Sequence, residues 1–106
     1  MGFFDFLKGP DINAGVADFR DTKGALLLDV RTAGEFSGGH IPGAKNIPLD
    51  KISKVEKTVM NKETPIFVYC HSGARAAQAT GYLKDKGYKD VRNIGGIMRY
   101  SGTVTR

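Results

Sequence analysis

Short apolar runs alternating with amphipathic stretches predict an α/β domain: a mainly parallel central sheet of about five strands, flanked by helices on both faces. Two runs carry most of this reading. Residues 25–30 and 65–69 are short and almost continuously apolar, as strands buried on both faces must be. Around them, apolar residues recur at helical spacing. In such sheets, sites form outside the carboxyl ends of the strands. Chemistry is therefore expected just beyond residues 30 and 69.

Each element has a local reason. Asp11 follows Gly9-Pro10 and can cap a helix that places Ile12, Val16 and Phe19 on one side and ends near Gly24. The strand at 25–30 follows. Thr32 opens a short helix through Phe36, with Glu35 completing a capping box, and Gly38-Gly39 breaks it. Residues 44–48 form a short extended stretch. Asp50 opens a helix carrying Ile52, Val55 and Val59 on one side. After the strand at 65–69, a loop runs from Cys70 to Arg75. A helix continues from there to Lys86, with Ala76, Ala79 and Leu83 inward and Gly87 stopping it. Residues 90–94 make the last strand, followed by Gly95-Gly96 and a short terminal turn.

The 106 residues suit one domain, read as an N-terminal extension at 1–10 and a folded unit at 11–106. The net charge of +5 favours anionic small molecules and acidic partner surfaces. Lys51, Lys54, Lys57 and Lys62 are spread along a surface helix and read as a solvated face. A nucleic-acid patch would cluster basic residues among aromatics, so none is expected. One cysteine cannot form an internal disulfide, so no oxidising compartment is required. The first nine residues are too short and too charged for a signal peptide. No run approaches the length of a membrane span. A soluble, cytoplasmic protein is the expectation. Phe3, Phe4, Phe6 and Leu7 leave three readings open: docking on the domain, on a partner or on a membrane surface.

Cys70 is the candidate nucleophile. It ends an apolar strand and begins the loop Cys70-His71-Ser72-Gly73-Ala74-Arg75, after which a helix starts. Consecutive N–H groups in such a loop can face one point, and the helix N-terminus adds positive potential. That setting favours a thiolate. Taken alone, a solitary cysteine is more often a small buried apolar residue, and the order of strand, glycine loop and helix is what favours a reactive thiol. His71 reads as a loop side chain facing substrate. With a single cysteine and only His40 for company, a zinc site is not expected. Arg75 has two open readings: an oxyanion ligand, or a brace that ties the loop to an acidic partner. Asp29, at a strand end, can accept hydrogen bonds that fix nearby loops. Arg31 and Glu35 are four apart and placed to pair.

These residues sit in a series of ordered motifs: Leu28-Asp29-Val30-Arg31 with Glu35-Phe36, Gly39-His40-Ile41-Pro42-Gly43-Ala44, Asn46-Ile47-Pro48, Cys70-x-x-Gly73-x-Arg75, and Gly95-Gly96. In this order and spacing the chain resembles the rhodanese-like domain family from about residue 11 to residue 102. The resemblance implies a sulfurtransferase. Cys70 would take the outer sulfur of thiosulfate, polysulfide or a small persulfide, becoming a persulfide itself, and pass it to cyanide or a thiol. His71, Ser72, Gly73, Ala74 and Arg75 would form the substrate-binding loop, with Asp29 and Arg31 in support. No metal or organic cofactor is implied. His40 is assigned to structure, and Gly95-Gly96 to close approach of backbone to the site. Tyr100 stands where the family often has tryptophan.

Three other functions compete. Related phosphatases and arsenate reductases place five residues between cysteine and arginine, whereas four intervene here. A smaller cup suits sulfur better than phosphate. A non-catalytic partner-binding module is the second, and a persulfide relay to a dedicated protein thiol the third. With no second cysteine to resolve a persulfide internally, the acceptor must come from outside.

Overall fold

The two apolar runs become the central strands of an all-parallel sheet. In the computed structural model, which describes residues 9–106, β1 (Leu26–Asp29) lies beside β3 (Ile66–Cys70). β2 (Lys45–Asn46) flanks β1 and β4 (Val91–Gly96) flanks β3, giving the order β2-β1-β3-β4. Leu28 sits opposite Val68 and Asp29 opposite Tyr69, so β1 and β3 end together at one edge.

Side chains of a strand alternate between faces, and both faces are covered here. On one, Leu28, Val30 and Val68 pack with Ala76, Ala79 and Leu83 of α4 (Ala74–Asp85). On the other, Leu27, Phe67 and Tyr69 pack with Ile12 and Val16 of α1 (Ile12–Asp21) and with Ile41. This double cover explains why the central strands lack a polar alternation.

The local signals mostly form as read. Asp11 Oδ1 accepts the Asn13 N–H at 3.0 Å and caps α1. Ahead of α2 (Ala33–Ser37), Thr32 and Glu35 exchange side-chain-to-backbone bonds of 3.2 and 3.0 Å, a complete capping box. Pro42 and Gly43 turn the chain, closed by a 3.0 Å bond from Ala44 N–H to Ile41 O.

Several expectations need correction. The sheet has four strands among the described residues, not five. Thr105 near the carboxyl end makes only an isolated antiparallel bridge to His40. The first helix ends at Asp21, before Gly24, because Thr22 is extended and its hydroxyl donates to Asp18 O at 2.6 Å. The helix expected from Asp50 is instead a 3-10 segment, Leu49–Lys54, followed by a single α-turn, α3 (Val55–Thr58). Lys51 departs from helical angles, and Pro48 rather than Asp50 stands at the N-cap. β-branched Ile52, Val55 and Val59 hold a helix weakly, but all three still pack inward. The phenylalanine-rich segment and most of the 1–10 extension lie outside the described residues.

Thr80 Oγ1 on α4 is buried and has no hydrogen-bond partner among the described residues. Leaving a hydroxyl unsatisfied in the interior costs about 1–3 kcal/mol. Thr80→Val keeps the shape and removes the hydroxyl, so it should raise the unfolding free energy by about 1 kcal/mol, read from the urea midpoint. A lower midpoint would mean that the hydroxyl has a partner.

Candidate functional site

Strand end, loop and helix start converge on one sulfur atom. Cys70 is the last residue of β3, level with Gly96 of β4. Gly73 follows in a left-handed conformation (φ 108°), which glycine adopts without steric cost, and serves as the N-cap of α4. A glycine cap has no side chain to receive the first N–H groups of its helix. The Cys70 sulfur takes that place. Its Sγ accepts the Gly73 N–H at 3.0 Å and the Ala76 N–H at 3.3 Å.

The expected donors ran from His71 to Arg75. Gly73 is among them, but Ala76 lies one residue beyond. The missed signal was positional. Ala76 is the third residue of the helix after its cap, where a capping acceptor is normally received. The Cys70 residue is only 1% exposed, while His71, Ser72 and Ala74 are exposed on the loop around it.

Gly96 lets the loop sit this close to the sheet. A Cβ on Gly96 would lie 2.2 Å from His71 O and 2.5 Å from Ser72 Cα, so any larger residue would push the loop away. The Met98 N–H then donates to His71 O at 3.2 Å and ties the terminal turn to the same loop.

Two ion pairs frame the loop, and neither is the Arg31–Glu35 pair that the spacing suggested. Arg31 turns back onto Asp29 instead. Its Nη2 lies 2.7 Å from Asp29 Oδ2, and its own N–H reaches Oδ1 at 2.9 Å. Asp29 is fully buried, so an arginine two residues away satisfies what no water could. Arg31 Nη2 also donates to Gly39 O at 2.7 Å, and Asn46 Nδ2 donates to the carbonyls of Asp29 and Arg31. Beside them, Tyr69 Oη accepts the Ile41 N–H at 3.1 Å, and burial pushes this phenol well above its ordinary range.

Glu35 is thereby free for Arg75. The contact is bidentate, Nη1 to Oε1 at 2.7 Å and Nη2 to Oε2 at 3.0 Å, with each side chain one-third exposed. Both terminal nitrogens of the Arg75 fork thus meet a carboxylate from α2. Beside the pair, Val30, Thr32, Pro48, Leu49, Asp50 and Arg75 line a cleft of about 240 Å³ at the carboxyl edge of the sheet. His40 holds a structural place. Its ring stacks on Phe36 at 3.6 Å, and its Nδ1 lies 2.9 Å from Phe36 O. Tyr100 packs, partly buried, against the α1-side core. Among the described residues, no three His, Cys, Asp or Glu side chains gather as a metal site would require.

Comparison with known proteins gives the family and the fold. A family model described as the Rhodanese-like domain matches residues 14–103. A curated protein named Sulfurtransferase from Allochromatium vinosum is 39% identical over 82 residues, covering 76% of each chain. The uncharacterized protein YqhL of Bacillus subtilis is 37% identical over 81 residues, covering 76% of this chain and 64% of its own length. Among solved structures, a rhodanese with anions from E. coli superposes with a TM-score of 0.72 at 30% identity, over 77% of this chain and 98% of that one.

The Arg75 hydrogen bonds hold the Glu35 carboxyl at a pKa of about 2, against an ordinary value of 4.5. A carboxyl lowered in the folded state stabilises the fold above its unfolded value and loses that contribution as pH falls toward the folded one. Glu35→Gln should therefore melt below the wild type at pH 6. The gap should narrow as pH drops from about 4.5 toward 2. A gap that stays constant across this window in parallel thermal melts would remove the ion pair from the stability of the loop.

Proposed function

This chain belongs to the rhodanese-like domain family, and from that premise we propose that it is a sulfurtransferase that carries sulfur as a persulfide on Cys70. The observation that carries the proposal is the pair of N–H groups on Cys70 Sγ, from Gly73 and Ala76. Both half-reactions gather negative charge at sulfur, and fixed N–H donors aimed at that charge stabilise it without reorganising.

With thiosulfate, the Cys70 thiolate attacks the outer sulfur. The S–S bond of the donor breaks and sulfite leaves with the bonding electron pair, so Cys70 becomes a persulfide anion. A polysulfide or small persulfide reacts in the same way, its remaining thiolate being the leaving group. In the second half, cyanide or a thiolate attacks the terminal sulfur and departs as thiocyanate or a new persulfide. The electron pair of the broken S–S bond returns to Cys70. The loop of His71, Ser72, Gly73, Ala74 and Arg75 forms the mouth of this reaction.

With its guanidinium held by Glu35, Arg75 acts here as a brace, and Asp29 with Arg31 as the support beneath the neighbouring loop. A single cysteine makes the acceptor an external thiol, including a protein thiol, or cyanide. No helix among the described residues is long and apolar enough to cross a membrane. A lone thiol with no internal disulfide suits a reducing cytoplasm.

One observation favours a second reading. Cys70 is 1% exposed, as an inert cysteine in a partner-binding module would be. Intact-mass measurement after mixing with thiosulfate, and separately with polysulfide, distinguishes the two. The expected result is a gain of one sulfur atom, removed by reductant and absent in Cys70→Ser. An unchanged mass with both donors would leave the binding module.

If Arg75 is a brace, Arg75→Ala should slow sulfur capture from thiosulfate and from an uncharged persulfide donor by similar factors. A loss confined to thiosulfate would instead assign the guanidinium to the sulfonate.

A further inference from the structure

We propose that Asn93 is a positioning residue for Cys70, its side-chain amide holding the Gly73 carbonyl and so fixing the turn at Gly73 that keeps the N–H groups of Gly73 and Ala76 aimed at Sγ. This rests on the reading of Cys70 as the reacting group. It adds a residue from a different strand, outside the motifs that mark the site.

The argument starts at an irregularity in the sheet. Val68 pairs with Asn93, but the next residue, Tyr69, pairs with Gly95, so β4 carries one extra residue, Ile94, at this point. A bulge bends its strand and re-aims the side chains beside it. Asn93 spans this one. Its Oδ1 accepts the Gly95 N–H at 2.9 Å, and its Nδ2 donates across to Gly73 O at 3.3 Å.

Gly73 is the residue that most needs holding. Glycine has more backbone freedom than any other residue, and this one links the loop to the helix. Its N–H lies on Sγ at 3.0 Å, and its carbonyl also accepts the Ala77 N–H at 2.9 Å. The site of a Gly73 Cβ is only 3.6 Å from Gly95 Cα, so β4 lies directly against the loop here. The Asn93 amide is the side-chain tie that crosses this contact. Without it, the Gly73 carbonyl loses its side-chain tie to β4, and rotation about the φ and ψ of Gly73 can carry its own N–H away from Sγ.

Asn93→Ser separates the two bonds. A serine hydroxyl can still accept from the N–H two residues on, but it is too short to reach Gly73 O. The readout is the pH dependence of Cys70 alkylation by iodoacetamide, followed by mass. It reports the setting of the sulfur without requiring any sulfur transfer. Asn93→Ser should move the midpoint upward by about half a unit to one unit and slow alkylation on the acid side of the midpoint roughly three- to tenfold.

Tyr88→Phe is the control for stability alone. Tyr88 Oη bonds to the carbonyls of Val55 and Val59, away from the loop. It should lower the melting temperature and leave the alkylation midpoint in place. Asn93→Asp gives a second test should the serine variant not fold. It keeps the acceptor for Gly95 and turns an oxygen toward Gly73 O, and its midpoint should rise further. Asn93 variants that melt lower but alkylate with the wild-type midpoint would overturn the proposal.

Sulfur capture from thiosulfate and from polysulfide, measured on the same proteins, keeps the two readings apart. A shifted midpoint in Asn93→Ser with no capture by wild type sinks the sulfurtransferase and keeps the positioning. Capture by wild type, with an unshifted midpoint in both Asn93 variants, sinks the positioning alone.

Discussion

A helix must begin somewhere, and its first N–H groups need acceptors. At the carboxyl end of β3 the helix α4 begins on a glycine, which offers no side chain for that purpose, and the sulfur of Cys70 supplies the acceptor. The fold and the proposed chemistry thus make the same demand on one atom. Gly73 must be glycine to take its left-handed turn, and Gly96 must be glycine to let His71 and Ser72 lie against the sheet. The all-parallel order brings the ends of β1, β3 and β4 to one edge. The ties that hold the loop can therefore come from neighbouring strand ends.

The two ion pairs near that edge do different work, and burial decides which. Asp29 and Arg31 are almost wholly out of water. Removing one partner of such a pair leaves an uncompensated charge and is strongly destabilising, even where the intact pair gains little over apolar packing. Its arginine also fixes the loop at Gly39. Glu35 and Arg75 are one-third exposed, and solvent screens such a pair to a modest net stabilisation. What it adds is geometry: a fork-to-fork contact between α2 and the Cys70 loop.

Much of this was legible in the sequence. The strands at Leu26–Asp29 and Ile66–Cys70 showed as apolar runs because both faces are covered. The Thr32–Glu35 box showed because it is a local exchange within one turn. The inward face of α4 showed in the spacing of Ala76, Ala79 and Leu83. What escaped was settled by tertiary context. Spacing alone offered Glu35 to Arg31, but a buried Asp29 had the stronger claim on that arginine, and Arg75 from the first turn of the distant α4 took Glu35. The strand β2 falls inside the short extended stretch read at residues 44–48, whereas the stretch after Pro48 winds as 3-10 where a regular helix was expected. Ala76 as a donor to sulfur could have been found by counting from Gly73, since backbone N–H groups leave no mark in residue type.

Glu35 and Arg75 stand forty positions apart in the chain and meet at 2.7 Å. Neither can change freely without stranding the other. Across the lineage of this domain, the two positions should drift as a linked pair, exchanged together or kept together. A linked substitution history of this kind would be a record of contact between α2 and the loop that no single sequence can hold.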